Sequence, residues 1–350
     1  MVDWSLAHQV ARFAAGGDRP HPDAAAGLVE LSGQLEAEVA GYTGLRPEGA
    51  VPRAELVGRA EWAEINVDGL ADLLEPVAAR LEQRLGAAGP LAGALRLGAR
   101  ATLATEAGLV MGYMSQRVLG QYELSLLQPE APARLLYVAP NVERAVHDLR
   151  VDRDSFLGWL ALHELTHAFQ FQGVTWLRGH LGDLLRGYLR TVEVRIDSGA
   201  AGGLPSLPDL GRIVESFREG GLAALVQTRE QRDRMASIQA TMAVVEGYCD
   251  HVMDALGARL LPVFEGLREA MESRRRSRSA PERMLQRLLG LDLKLRQYEL
   301  GRTFCDAVVE RAGIEGLNRV WDDPDALPTG AELRHPERWL GRSGLAVAAA

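Results

Sequence analysis

The chain has 350 residues, 47% of them hydrophobic, a formal net charge of −8 and two cysteines. That length and apolar content can bury a large core, while the acidic balance gives no reason to expect a nucleic-acid partner and two cysteines argue against a disulfide framework. No run of about 18 apolar residues is present to span a bilayer, and residues 1–5 do not begin a signal peptide, so the expectation is a soluble, cytoplasmic protein that meets no membrane.

Helical spacing runs through residues 4–14, 22–42, 53–65 and 67–85, with Pro22 at a first-turn position. Residues 91–119 read as a long apolar helix. Its small residues (Gly93, Gly98, Gly108, Gly112) would admit close backbone approach and break the helix near Gly108. The β signal is at 121–127 and 135–138, joined across residues 128–132. Asn141 is placed as the cap of a short helix ending near Leu149. A helix over 155–172 follows, capped by Asp154 and ended by Gly173.

Residues 199–208 form a Gly/Pro-rich break suited to a surface loop, and 228–256 a long helix terminated by Gly257. The basic run 272–279 reads as a solvated connection, 285–312 as helix, 321–340 as a Pro-rich closing segment and 341–350 as a frayed tail. The expected fold class is mainly α, with a small antiparallel β element before the helix at 155–172. A helical lobe (1–108) and a second domain (109–345) would pack as one unit.

The helix at 155–172 carries His163-Glu164-Leu165-Thr166-His167, an HExxH pattern. Histidines four apart share a helical face, as two ligands of one Zn²⁺ must, and the glutamate between them can deprotonate a water at the metal. Phe156, Leu157, Trp159, Leu160, Leu162, Leu165, Phe169 and Phe171 make the helix apolar all round, which marks a buried one. His163, His167, Glu164, Gln170 and Thr166 form one polar stripe on it. If these were merely satisfied core residues, each would need its own partner; a bound cation provides partners for most of them.

A catalytic zinc needs a third protein ligand. Glu246 is the best candidate, because on its helix it shares a face with Gln239, Met242, Asp250 and Met253. Two acids a turn apart repel, and a cation beside them removes the conflict. Glu246 would ligate, and Asp250 would accept the free N–H of a ligating histidine. His251 lies about 140° off that face. His180 and Asp183 are the reserve ligands.

HExxH followed by E-x-x-x-D resembles the gluzincin branch of the zincin metallopeptidases. Further segments resemble a bacterial family of zincin-like hydrolases, whose members are labelled zinc-dependent metalloproteases or proteins associated with biosynthesis of a deazaflavin coenzyme. These are residues 61–66, 118–124, 136–141, the motif helix, 246–254, 294–298 and 321–339. The resemblance implies a zincin-like helical domain at 109–345, with ligand and base roles for His163, Glu164, His167 and Glu246. It supplies no substrate.

The function expected is a zinc-dependent hydrolase of a peptide or small amide substrate, with Glu164 as general base. Tyr298 and Arg296, polar residues in an apolar helix, are candidate transition-state donors. The alternative is a metal-containing scaffold or interaction protein without hydrolase activity. Glu164 argues against it, since a structural zinc site needs no carboxylate beside two ligands. Zincins place a strand above the metal to which an extended peptide can add, and 121–127 is positioned for that task.

Overall fold

The computed structural model describes residues 2–17, 26–85, 92–191 (127 and 129 excepted), 229–276 and 291–345. Its elements, in order, are α1 (Trp4–Ala15), α2 (Ala26–Thr43), β1 (Ala54–Val57), α3 (Arg59–Leu85), α4 (Ala92–Ser115), β2 (Gly120–Glu123), β3 (Arg134–Val138) and α5 (Ala139–Leu149). Then come α6 (Arg153–Gly173), α7 (Leu177–Thr191), α8 (Arg229–Leu260), α9 (Phe264–Arg276), α10 (Leu291–Asn318), α11 (Gly330–Arg334) and α12 (Pro336–Arg342). The molecule is mainly helical with one small sheet, as the sequence led us to expect.

The sheet has the order β1-β3-β2, β3 pairing parallel with β1 and antiparallel with β2. Successive side chains of β3 point to opposite faces. Leu136 and Val138 enter a core built with α1, α3 and α4, alongside Ala11, Trp62 and Ala104. Leu135 and Tyr137 enter the larger core around α6, with Phe156, Leu165 and Tyr248. The short sheet therefore stands between two cores and belongs to both.

Helix α6 lies in the larger core. Asp152 caps it, its side chain accepting from the Ser155 amide at 2.8 Å. It packs against α2, α8 and β2, which explains why its sequence is apolar all round. Helices α8 and α10 cross backbone to backbone where Gly247 meets Gly301. A Cβ at Gly301 would overlap the Ala243 carbonyl, and one at Gly247 would overlap the backbone of Gly301.

Several local expectations need correction. Residues 54–57 form β1, not helix: their partner Leu135 to Val138 lies some 80 positions on, and that pairing outweighs the helical composition of the segment. Helix α4 runs unbroken through Gly108, whose missing side chain lets α1 approach at Ala7 and Ala11. Helix α8 likewise continues past Gly257, where the Phe264 ring fills the space of a side chain. Strand β2 stops at Glu123. The cap of α6 is Asp152 and not Asp154.

Asn141 lies inside α5, whose N-cap is Val138. Its amide donates to Ser115 O and Val118 O at 2.7 Å, while its oxygen accepts from Arg59. The expected loop at 199–208 lies outside the described residues, as do 277–279 of the basic run and 346–350 of the tail. No helix among the described residues is long and apolar enough to cross a membrane.

Candidate metal centre

His163 and His167 project from one face of α6, their rings edge to face with centroids 4.7 Å apart. Helix α8 crosses this face and brings Glu246 to it, with Oε2 3.8 Å from His167 Nε2. Two ligands of one tetrahedral zinc stand about 3.4 Å apart. The Glu246 side chain keeps 24% exposure and that of His167 12%, so the space between them borders solvent.

The orientation of His167 is fixed by a relay between the two helices. Gln170 Nε2 donates to Val245 O at 2.9 Å, which settles which way round its amide sits. Gln170 Oε1 is then the atom 3.0 Å from His167 Nδ1. An oxygen can only accept, so Nδ1 carries a hydrogen, and in the neutral ring that a metal requires Nε2 keeps its lone pair on the side of Glu246. A lone pair facing a carboxylate is an unfavourable pair of acceptors that a cation between them would satisfy. By this test the residues fit a zinc ion.

Around His163, Nδ1 lies 3.3 Å from Met253 Sδ and 3.3 Å from Cys249 Sγ, and Trp159 stacks on the ring at 5.9 Å. The ligand atoms of His163, His167 and Cys249 lie within 4.8 Å of one another. Cys249 and Met253 are buried, and neither described cysteine is in a disulfide.

Glu164 points to the sheet. Leu119 O accepts from Val138 N, so strand alternation turns the backbone groups of Gly120 and Tyr122 to the outer edge of β2. There the Tyr122 amide donates to Glu164 Oε2 at 2.8 Å. Burial pushes the Glu164 carboxyl up to about 8; the Tyr122 amide opposes this and the charge of Glu246 adds to it. The Tyr122 ring stacks on Phe171 of the same helix, 6.0 Å away. Beyond β2, Arg178 of α7 donates to the carbonyls of Ser125, Gln128 and Ala131 and holds the hairpin loop in place.

Thus the structure gathers His163, Glu164, His167 and Glu246 at one place. Asp250 lines a cavity of about 40 Å³ with Trp159, Met253, Asp254, Arg268 and Arg302. At His167 the acceptor of the ring N–H is Gln170, where the sequence suggested a carboxylate. Of the reserve ligands, His180 packs edge-on against Trp176, and Asp183 is exposed and paired with Arg186 at 2.7 Å. The backbone of Arg296 and Tyr298 belongs to α10, but their side chains lie outside the described residues.

Sequence reasoning did not find Cys249, Gly120 or Tyr122, and it placed Met253 on the face of Glu246 without giving it a contact. Gln170 was visible in the polar stripe of α6, though its partner was not.

Comparison with known proteins places the chain in a family. The model of the zincin-like metallopeptidase family matches residues 2–340. The chain is also similar to a solved protein described as "a putative hydrolase with a novel fold from Chloroflexus aurantiacus". The two share 31% sequence identity over 98% of this chain and 99% of that one, with a TM-score of 0.75. Among curated proteins, none matches. Carrying its HExxH on a buried helix and matching the family over nearly its whole length, the chain belongs to the zincin-like metallopeptidase family.

Proposed function

We propose that the protein is a zinc-dependent hydrolase that cleaves a peptide or small amide bond. The observation that carries this reading is the position of Glu164: a buried carboxylate beside two ligand-type histidines, held by the Tyr122 amide through one oxygen. A site that only held a structural ion would have no use for it.

His163, His167 and Glu246 would hold the zinc, and Asp250 is proposed as an outer partner on the same face of α8. Zinc bound there supplies Lewis acidity for a substrate carbonyl and lowers the pKa of water. With Oε2 engaged by Tyr122, the oxygen of Glu164 left to take a proton from the attacking water is Oε1, the one beside Gly120. The same oxygen then returns the proton to the leaving nitrogen. Burial raises the Glu164 carboxyl in the metal-free protein, and a zinc ion held beside it would favour the carboxylate form that a base requires. Tyr298 is retained as a candidate donor to the developing oxyanion.

The seating of β2 on Glu164 favours a guarded site. An extended peptide pairing with the edge of β2 would compete with Glu164 for the Tyr122 amide, so a short substrate suits the geometry better than a long one.

Glu164→Gln tests the proposal. It should keep zinc content while lowering hydrolysis of a peptide and amide library by about 10²–10⁴-fold. A Gln variant within about threefold of the wild type would overturn the assigned role, and a zinc-loaded wild type without activity on any library member would favour the scaffold alternative.

A further inference from the structure

We propose that Cys249 is a positioning residue for His163: its thiol keys the imidazole so that Nε2, and not Nδ1, is the nitrogen offered to the metal. This rests on the reading of His163 as a zinc ligand and extends it to a residue one helix away.

Two contacts of the same sulfur carry the inference. Cys249 Sγ lies 3.3 Å from His163 Nδ1 and 3.5 Å from His163 O, the backbone carbonyl of that same residue. A carbonyl can only accept, so the contact with it uses the S–H as donor. The sulfur lone pairs then face Nδ1, which meets them with an N–H. One thiol thereby spans the backbone and the ring of a single histidine, fixing its rotamer and its tautomer together. Met253 Sδ lies 3.3 Å from the same Nδ1 and adds a second acceptor. A thioether has no hydrogen and cannot make the bridge to the carbonyl.

The arrangement parallels that at His167, where Gln170 accepts from Nδ1 and donates to Val245 O. In each case the residue that orients the ring also grips a backbone carbonyl. At His167 the link runs from α6 to α8 through an amide; at His163 it runs from α8 back to α6 through sulfur. Partners of this kind commonly contribute 10–100-fold to metal affinity without touching the metal.

The ligand atoms of His163, His167 and Cys249 lie within 4.8 Å of one another, so a ligand role for the thiol is the rival reading. Against it, the sulfur meets His163 at Nδ1 and at its backbone carbonyl, the latter contact using the S–H as donor.

The test compares wild type, Cys249→Ala and Cys249→Ser by zinc affinity in chelator competition, by the long-range nitrogen–proton NMR pattern of His163, and by the absorption of the cobalt-substituted protein. We expect a wild-type His163 protonated at Nδ1 and cobalt spectra without a thiolate charge-transfer band. Cys249→Ala should weaken zinc binding by roughly tenfold or more, with the tautomer pattern of His163 disturbed. Cys249→Ser, whose hydroxyl can accept and donate in the same way, should stay within about threefold of wild type.

A thiolate band in the cobalt protein would overturn the proposal by making Cys249 a ligand. So would an Ala variant with wild-type affinity and tautomer. Should the Ala variant misfold, loss of the Nδ1–H pattern or of affinity in a folded Ser variant would also overturn it. A wild-type protein that takes up no zinc overturns the metal reading itself, whereas zinc uptake indifferent to residue 249 overturns only the role of the thiol.

Discussion

Gly120 and Glu164 are fitted to one another across the gap between sheet and helix: a Cβ on residue 120 would lie 2.7 Å from Glu164 Oε1 and 2.9 Å from its Cγ. The absent side chain at 120 is thus the space in which the carboxylate sits. It lets β2 lie close enough on α6 for the Tyr122 amide to reach Oε2.

Gly120→Ala should therefore push the strand and the carboxylate apart. We expect a loss of about 1–3 kcal/mol of stability from overpacking, together with a fall in any hydrolytic activity at near-normal zinc content. Thermal unfolding and metal analysis on the same preparation check this. An Ala variant as stable and active as the wild type would mean that the contact is slack.

The raised Glu164 carboxyl has a consequence for stability in the metal-free protein. Folded, it keeps its proton up to a pH of about 8; unfolded, it releases it from its ordinary value of 4.5. Between those values unfolding releases a proton, so rising pH costs up to roughly 1.4 kcal/mol per unit from this group. Below 4.5 both states hold the proton and the cost is absent. Glu164→Gln removes the titration, so its melting temperature relative to wild type should climb between pH 5 and pH 8 when zinc is stripped. A constant difference across that range would count against the burial of this charge.

Gln170→Leu removes the acceptor at His167 Nδ1 and the donor to Val245 O together. Zinc affinity should fall by roughly 10–100-fold, read by chelator competition. An unchanged affinity would show that the relay does not hold the ring.

Gly301→Ala should be among the costlier single methyl additions, because the Cβ would overlap the Ala243 carbonyl at the α8–α10 crossing. About 1–3 kcal/mol is expected, with zinc affinity reduced as well, since Gly247 at the same crossing adjoins Glu246. Gly98→Ala in α4, where nothing lies within 4 Å, is the control and should be neutral or stabilising by up to about 1 kcal/mol. Chemical denaturation of the two variants compares them directly.

Much of this arrangement was legible in the chain itself. The buried motif helix announced itself through its apolar surround and single polar stripe, and the helical face of Glu246 pointed to the same place. The β2–β3 hairpin was readable from local pattern because its strands are close in sequence. Strand β1 was not, because its Ala-Glu-Leu-Val segment owes its conformation to a partner far along the chain. Gly108 and Gly257 looked like breaks, yet each stands where another residue presses on a helix, a fact carried only by the tertiary contact. Cys249 was informative only about redox state until α8 was laid across α6.

The alternation along β3 has one last consequence. Leu136 and Val138 are anchored in the core of α1, α3 and α4, while Leu135 and Tyr137 are anchored beside the motif helix. The hairpin that grips Glu164 is therefore founded on the N-terminal helices as well as on the core around α6. Trimming Trp62 or Val57, both buried in the core of α1, α3 and α4, would let the strand settle backward and loosen the Tyr122 amide from the carboxylate. Helices α1, α3 and α4 thus work as a rear buttress for Glu164, the proposed general base, and substitutions in their core should disturb its seating as well as stability.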